Sequence, residues 1–237
     1  MGVAPPAERS GRRPARPRRT QHERTREARA RLLQATIDVL MHRGYAGLTT
    51  KDVATRAGFS NGALVHHYGT KAELVIAATD AVYAGATRHG EEIAKGALAR
   101  RDPLAGFVAD CMAVYFGRPF FPALEVLVLA RTEPTLMAQI EPIMRRYRRD
   151  TNQRWLAAFE RHGLSLEEAG QVLTLTLNLV RGMAMNSLWQ IDRRGARAVL
   201  RDWMGVARSR WPALAGRTRR QARTAGPTDS PARLRNL

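Results

Sequence analysis

Between Thr49 and Lys71 the chain reads TTKDVATRAGFSNGALVHHYGTK, two short helix signals separated by a turn at Ala57-Gly58-Phe59-Ser60. Thr49 is placed to cap the first helix, with Asp52 in the capping-box position. Val53, Ala54 and Ala57 then recur at helical spacing. Gly58 stands where a helix ends and a positive φ is needed. Ser60 is placed to cap a second helix over about 61–67. Thr70 with Glu73 opens a third, carrying Leu74, Ala77 and Ala78. Helix, glycine-containing turn, helix is the shape that lays its second helix in a DNA major groove.

Further matches extend this signal. They are Arg31-Leu32-Leu33, Gly44-Tyr45, Thr49-Thr50, Val53-Ala54, Ala57-Gly58-Phe59-Ser60, Gly62-Ala63-Leu64, His67-Tyr68 and Thr70-Lys71 with Leu74. Taken together, residues 25–75 resemble the DNA-binding domain of the TetR family of bacterial transcriptional regulators. The resemblance implies a homodimeric repressor that binds a palindromic double-stranded operator and is released by a small-molecule effector. It also implies that Lys71 clamps a phosphate. One departure stands out: Val65 occupies the position where the family usually has a tyrosine whose hydroxyl reaches a phosphate.

The residues themselves name the contact set. A recognition helix reads base edges while flanking groups hold phosphates. Ser60, Asn61, Gly62, Ala63, Val65, His66 and His67 are available for reading. Asn61 suits adenine edges, Val65 a thymine methyl, and Gly62 a close backbone approach. His66 can donate to a base or a phosphate. Thr49, Thr50 and Lys51, at a helix start, are placed for phosphates. The adjacent pair His66-His67 is a poor chelate, because neighbouring helix positions point about 100° apart. No metal and no cofactor is expected.

Charge supports an anionic partner. The 237 residues carry a net charge of +18, nearly all of it arginine, since lysine occurs only at Lys51, Lys71 and Lys95. Residues 1–22 and 216–237 each hold six arginines against one acid, so the two ends contribute more than half of the excess. Both read as disordered. The first is either a basic arm reaching phosphates or the minor groove, or a solvated tail. The single cysteine, Cys111, sits in an apolar helical pattern and reads as a buried thiol. No apolar run approaches the ~18–20 residues of a membrane span, and no apolar segment follows the basic start, so a cytoplasmic protein is expected.

The remaining pattern is all-α, a bundle of about nine helices with no strand signal. Helices are expected over about 25–43, 50–57, 61–67, 71–88, 103–115, 122–131, 135–161, 166–190 and 196–211. They divide into a DNA-binding domain over 23–70 and an effector-binding and dimerisation domain over 71–215. Phe107, Met112, Phe116, Trp155, Met183, Met185 and Trp189 are candidates to line an apolar pocket, or are simply core. Asn178, Arg181 and Asn186 are polar groups in an apolar helix, fit to orient a ligand or satisfy an interface. The last two helices have broad apolar faces that a two-fold dimer would bury.

Two other readings remain at this point. Sequence-neutral DNA binding through the two basic ends would show a steep salt dependence and no operator preference. A transcriptional activator would share all these features. An enzyme finds no support: there is no phosphate-cradling glycine loop, nucleophile elbow or metal-ligand spacing.

Overall fold

The computed structural model describes residues 20–215 apart from 118 and 190–192. Residues 1–19 and 216–237, most of the two basic ends, therefore lie outside the described residues. So does Gln190, the expected end of one helix.

Ten α-helices and one short 3-10 helix follow one another among the described residues. α1 (Gln21–Arg43), α2 (Thr50–Ala57) and α3 (Asn61–His67) form the head. α4 (Lys71–Lys95), α5 (Ala97–Arg101), α6 (Pro103–Tyr115), α7 (Phe120–Ala130), α8 (Pro134–Glu160), α9 (Leu166–Asn186) and α10 (Arg193–Arg210) follow, with the 3-10 turn at Pro212–Ala215.

Helix boundaries trace to capping chemistry. α1 starts four residues earlier than expected because Thr20 and Glu23 form a full capping box: Thr20 Oγ1 accepts from the Glu23 amide at 3.2 Å and the Glu23 carboxylate accepts from the Thr20 amide at 2.8 Å. Gly44, at φ 66°, ends it. The expected cap at Asp102 is present, its Oδ1 accepting from the Ala105 amide at 2.9 Å. So is the box at Ser165 and Glu168. The tenth helix, α5, was not expected from the sequence. It is a single turn wedged between Gly96 and the Asp102 cap.

α4 runs beyond Arg88, through Gly85 and Gly90, to Lys95, and of the three glycines that left its end open it is Gly96 that caps it. Gly90 is there for space. A Cβ on it would meet Arg154 Nη1 at 2.5 Å and the Asp110 carboxylate at 2.9 Å. Arg154 donates to the Thr87 carbonyl of α4 at 3.1 Å and lies 3.9 Å from Asp110 of α6. This knot fixes α4 to α6 and α8. Near its other end α4 is tied to α8 by the ion pair Asp80–Arg146.

Two apolar clusters hold the molecule. One is built by Phe107, Cys111, Trp155, Phe159, Val172 and Val180 of α6, α8 and α9, with Leu200 and Leu214. The other gathers Leu32, Val39, Leu48, Val53 and Leu64 of the head with Leu74 of α4. The head's cluster does not stop there. It continues into Ala123, Val126 and Ala130 of α7 and Leu136, Ile140 and Ile143 of α8. Burial pushes the Cys111 thiol far above its ordinary range, which keeps it protonated.

Candidate nucleic-acid interface and buried cavity

The turn between α2 and α3 is built as a left-handed stop. Gly58 has φ 72° and ψ 36°, and the Phe59 amide donates to the Ala54 carbonyl at 2.9 Å. Arg31 locks the turn from α1: its Nη2 donates to the Ala57 carbonyl at 2.6 Å and its guanidinium lies over the Phe59 ring at 4.8 Å. Arg56 reaches Asp38 with Nε and Nη2 at 3.0 and 2.9 Å, bracing α2 against α1.

On this frame α3 buries one side chain, Leu64, and turns the rest outward. Asn61, Gly62, His66 and Val65 are exposed, Val65 at 47 %, while Ala63 and His67 are half-buried. Ser60 is exposed, but its Oγ is occupied in accepting from the Ala63 amide at 3.2 Å. A Cβ on Gly62 would meet nothing closer than Ser60 Oγ at 4.0 Å. The fold thus places no demand on that glycine. The rings of His66 and His67 lie 5.7 Å apart.

At the start of α2 the hydroxyl of Thr49 is fully used. It accepts from the Asp52 amide at 3.1 Å and donates to the Asp52 carboxylate at 2.7 Å. That hydrogen bond, aided by the Arg43 guanidinium 2.7 Å away, holds the Asp52 carboxyl below the usual range. Lys51 is exposed and Thr50 half-buried. Lys71 is already engaged: its Nζ donates to the Tyr45 carbonyl at 2.7 Å and sits 4.3 Å from the Tyr45 ring centre. Sequence reasoning missed this internal role.

A cavity of about 510 Å³ lies in the body. Tyr83 of α4, Tyr115 of α6, Phe120, Leu124 and Leu127 of α7, Met144, Tyr147, Thr151 and Asn152 of α8, and Leu177, Arg181 and Met185 of α9 line it, with Glu141, Arg145 and Arg148. Of the pocket residues expected from the sequence, Arg181 and Met185 are among these. Phe107 and Trp155 are not. Both are fully buried and packed on each other at 5.2 Å, Trp155 donating its Nε1 to Asp110 at 2.7 Å. Met112 packs against that same core. Phe116 and Asn178 are exposed instead. For Phe107, Met112 and Trp155 the alternative reading, core, describes their packing, while α7 and α8 supply most of the cavity wall. Burial pushes the Tyr83 phenol up to about 12 and raises Tyr115 and Tyr147 as well, so all three face the cavity protonated.

α7 has two faces. Phe120, Leu124 and Leu127 look into the cavity, while Ala123, Val126 and Ala130 lie in the head's cluster. Between them, Glu125 accepts the Tyr45 amide at 2.7 Å. A Cβ on Gly44 would meet the same carboxylate at 2.8 Å.

Residues 32–78 match the family described as bacterial regulatory proteins, tetR family. The HTH-type transcriptional regulator CymR of Pseudomonas putida is 33% identical over 194 residues, covering 82% of this chain and 96% of the relative. A transcriptional regulator from Rhodococcus sp. Rha1 shares the fold with a TM-score of 0.61 at 23% identity, over 76% of this chain and 96% of that one. A regulator from Saccharomonospora viridis, solved in complex with choline, does so with a TM-score of 0.60 at 20% identity, again over 76% and 96%. These relatives are regulators and not enzymes. With a helix-turn-helix head of three helices, seven further α-helices behind it among the described residues and a relative matched along nearly its whole length, the chain belongs to the TetR family of bacterial transcriptional regulators.

Proposed function

We propose that the protein is a homodimeric repressor that binds a palindromic operator through α3 and leaves it when a small molecule enters the cavity. The observation that carries this reading is α7. One helix lines the cavity with Leu124 and Leu127 and holds the head through Glu125 and Val126. A ligand that favours a different seating of α7 would also favour a different seating of the head, and DNA affinity follows the population shift. The S. viridis regulator of the same fold holds choline, which supports the cavity as a small-molecule site.

In this reading Asn61, Gly62, Val65 and His66 face base edges and Ser60, Ala63 and His67 border them. The amides of Thr49, Thr50 and Lys51 meet phosphates. Lys71 keeps one hydrogen on the Tyr45 carbonyl and has two more for a phosphate. A Lys71→Ala variant is expected to lose about tenfold in affinity for operator and random DNA alike, and to flatten the salt dependence by about one charge. Fluorescence anisotropy on both DNAs checks this; a loss confined to the operator rejects the assignment.

The dimer would form on α9 and α10, which expose Leu166, Leu175, Val199 and Val206. Trp203 donates to Thr176 Oγ1 at 3.0 Å and locks the two helices as one surface. Two heads on a two-fold axis would enter successive major grooves about 34–36 Å apart. The site of action would be the cytoplasm, where the DNA is.

Footprinting on the gene's own upstream DNA, with excess random DNA present, tests the whole. A discrete palindromic protection is expected. Uniform protection lost with modest salt would instead favour sequence-neutral binding through the basic ends. Transcription from the protected promoter, with and without the protein, separates repressor from activator.

A further inference from the structure

The charges around the cavity do not balance. Three arginines, Arg145, Arg148 and Arg181, face it against one acid, Glu141. Glu141 is committed to Arg145, whose Nη2 lies 2.6 Å from its carboxylate. In the neighbouring core, Asp110 is committed to Trp155 and Arg154. Arg148 and Arg181 make no ion pair among the described residues.

Arg181 is the informative one. It is half-buried on α9, in a wall made mainly of apolar side chains. Its Nε donates to the Tyr115 hydroxyl at 2.8 Å, and its guanidinium lies 5.2 Å from the Tyr115 ring centre. A phenol that burial keeps protonated cannot neutralise it. Arginine carries a permanent positive charge in proteins. Its terminal nitrogens make no hydrogen bond among the described residues. A cation in a partly desolvated apolar site is costly unless an anion meets it.

We propose that this cavity binds an organic monocarboxylate with an apolar body, the carboxylate pairing with Arg181. The planar fork of a guanidinium matches a carboxylate in two parallel hydrogen bonds. One inner guanidinium matches one negative charge, whereas a phosphate dianion would need a second cation at the same depth. Arg148 is exposed and adds positive potential along the approach. The body of the ligand meets Leu124, Leu127 and Met144. Asn152 Oδ1 is buried without a hydrogen-bond partner among the described residues, so a hydroxyl on the body would gain an acceptor there.

The inference rests on the cavity being a ligand site and is tested without DNA. Phenylacetate, phenylbutyrate and phenylhexanoate, each with its carboxamide, are titrated calorimetrically into the full chain. At least one acid is expected to bind tenfold or more tightly than its amide, on the order of one charge-assisted pair. Arg181→Met is expected to erase the difference while circular dichroism stays unchanged. Should that variant misfold, Arg181→Lys, which keeps the charge but loses the fork, is expected to reduce the preference. Equal binding of acid and amide, no binding by any acid, or a preference surviving Arg181→Met overturns the proposal. Operator release is scored separately. An acid that binds without releasing DNA upholds the ligand class and defeats the effector reading; release by amides alone does the reverse.

Discussion

A Trp155→Ala variant is expected to lose about 3–5 kcal/mol of stability from cavity formation alone. Trp155 is fully buried, its ring tilted against Phe107 at 5.2 Å and near Phe159 at 6.4 Å. Its removal has a second cost. The Asp110 carboxylate would lose its 2.7 Å donor and keep only Arg154 at 3.9 Å. Leaving a buried acceptor unsatisfied costs about 1–3 kcal/mol more. The same carboxylate and Arg154 fill the space over Gly90, so α4 would loosen where it enters the body. Urea denaturation measures the total. Trp155→Phe separates its parts: the ring remains, the donor goes, and a loss of about 1–3 kcal/mol is expected. Equal losses for Ala and Phe would mean that the hydrogen bond, and not packing, dominates.

The second large effect lies at the other end and leaves stability alone. Val65→Glu places a carboxylate on the exposed face of α3. Val65 is about half exposed and lies outside the head's buried cluster, so stability is expected to hold within the usual range of surface changes, about ±0.5 kcal/mol. Against DNA the new charge faces phosphates and the acceptor-rich groove, and like-charge juxtaposition costs several kcal/mol. Operator affinity is expected to fall at least about a hundredfold, close to 3 kcal/mol. Anisotropy titration with a parallel melt checks both halves. Unchanged operator binding would remove α3 from the interface. A Gly62→Ala variant is the milder companion, since the fold leaves its Cβ position open.

The head was readable in the sequence because its signals are local. Caps at Thr49, Ser60 and Thr70, the left-handed Gly58 and the single inward Leu64 each follow from residues within one or two turns. The start of α1 was equally available in Thr20-x-x-Glu23, and was lost to the proline-arginine composition just before it. The cavity was another matter. Its wall is assembled from five helices, and periodicity along one helix does not say which apolar face meets solvent-sized space. Phe107 and Trp155 satisfied every local criterion for a pocket, yet they pair with each other. Tyr83 and Asn152 satisfied none, yet they line it. Arg181 could be singled out because a cation in an otherwise apolar helix needs a reason wherever the helix packs.

The continuation of the head's apolar cluster into α7 and α8 limits how this protein can be re-engineered. A chimera that transplants residues 20–70 onto another body would take Leu32, Leu48 and Leu64 but leave behind Leu74, Val126 and Ile140, half of the surface they pack on. Such a graft would arrive with an incomplete core and a Tyr45 amide without its Glu125 acceptor. Asn61, Gly62, Val65 and His66 of α3 lie outside that seam and are exposed, so they can be exchanged without disturbing it. By the same reasoning, duplicated genes of this kind can diverge in DNA address by a few surface substitutions, while the seam between head and body must change on both sides at once.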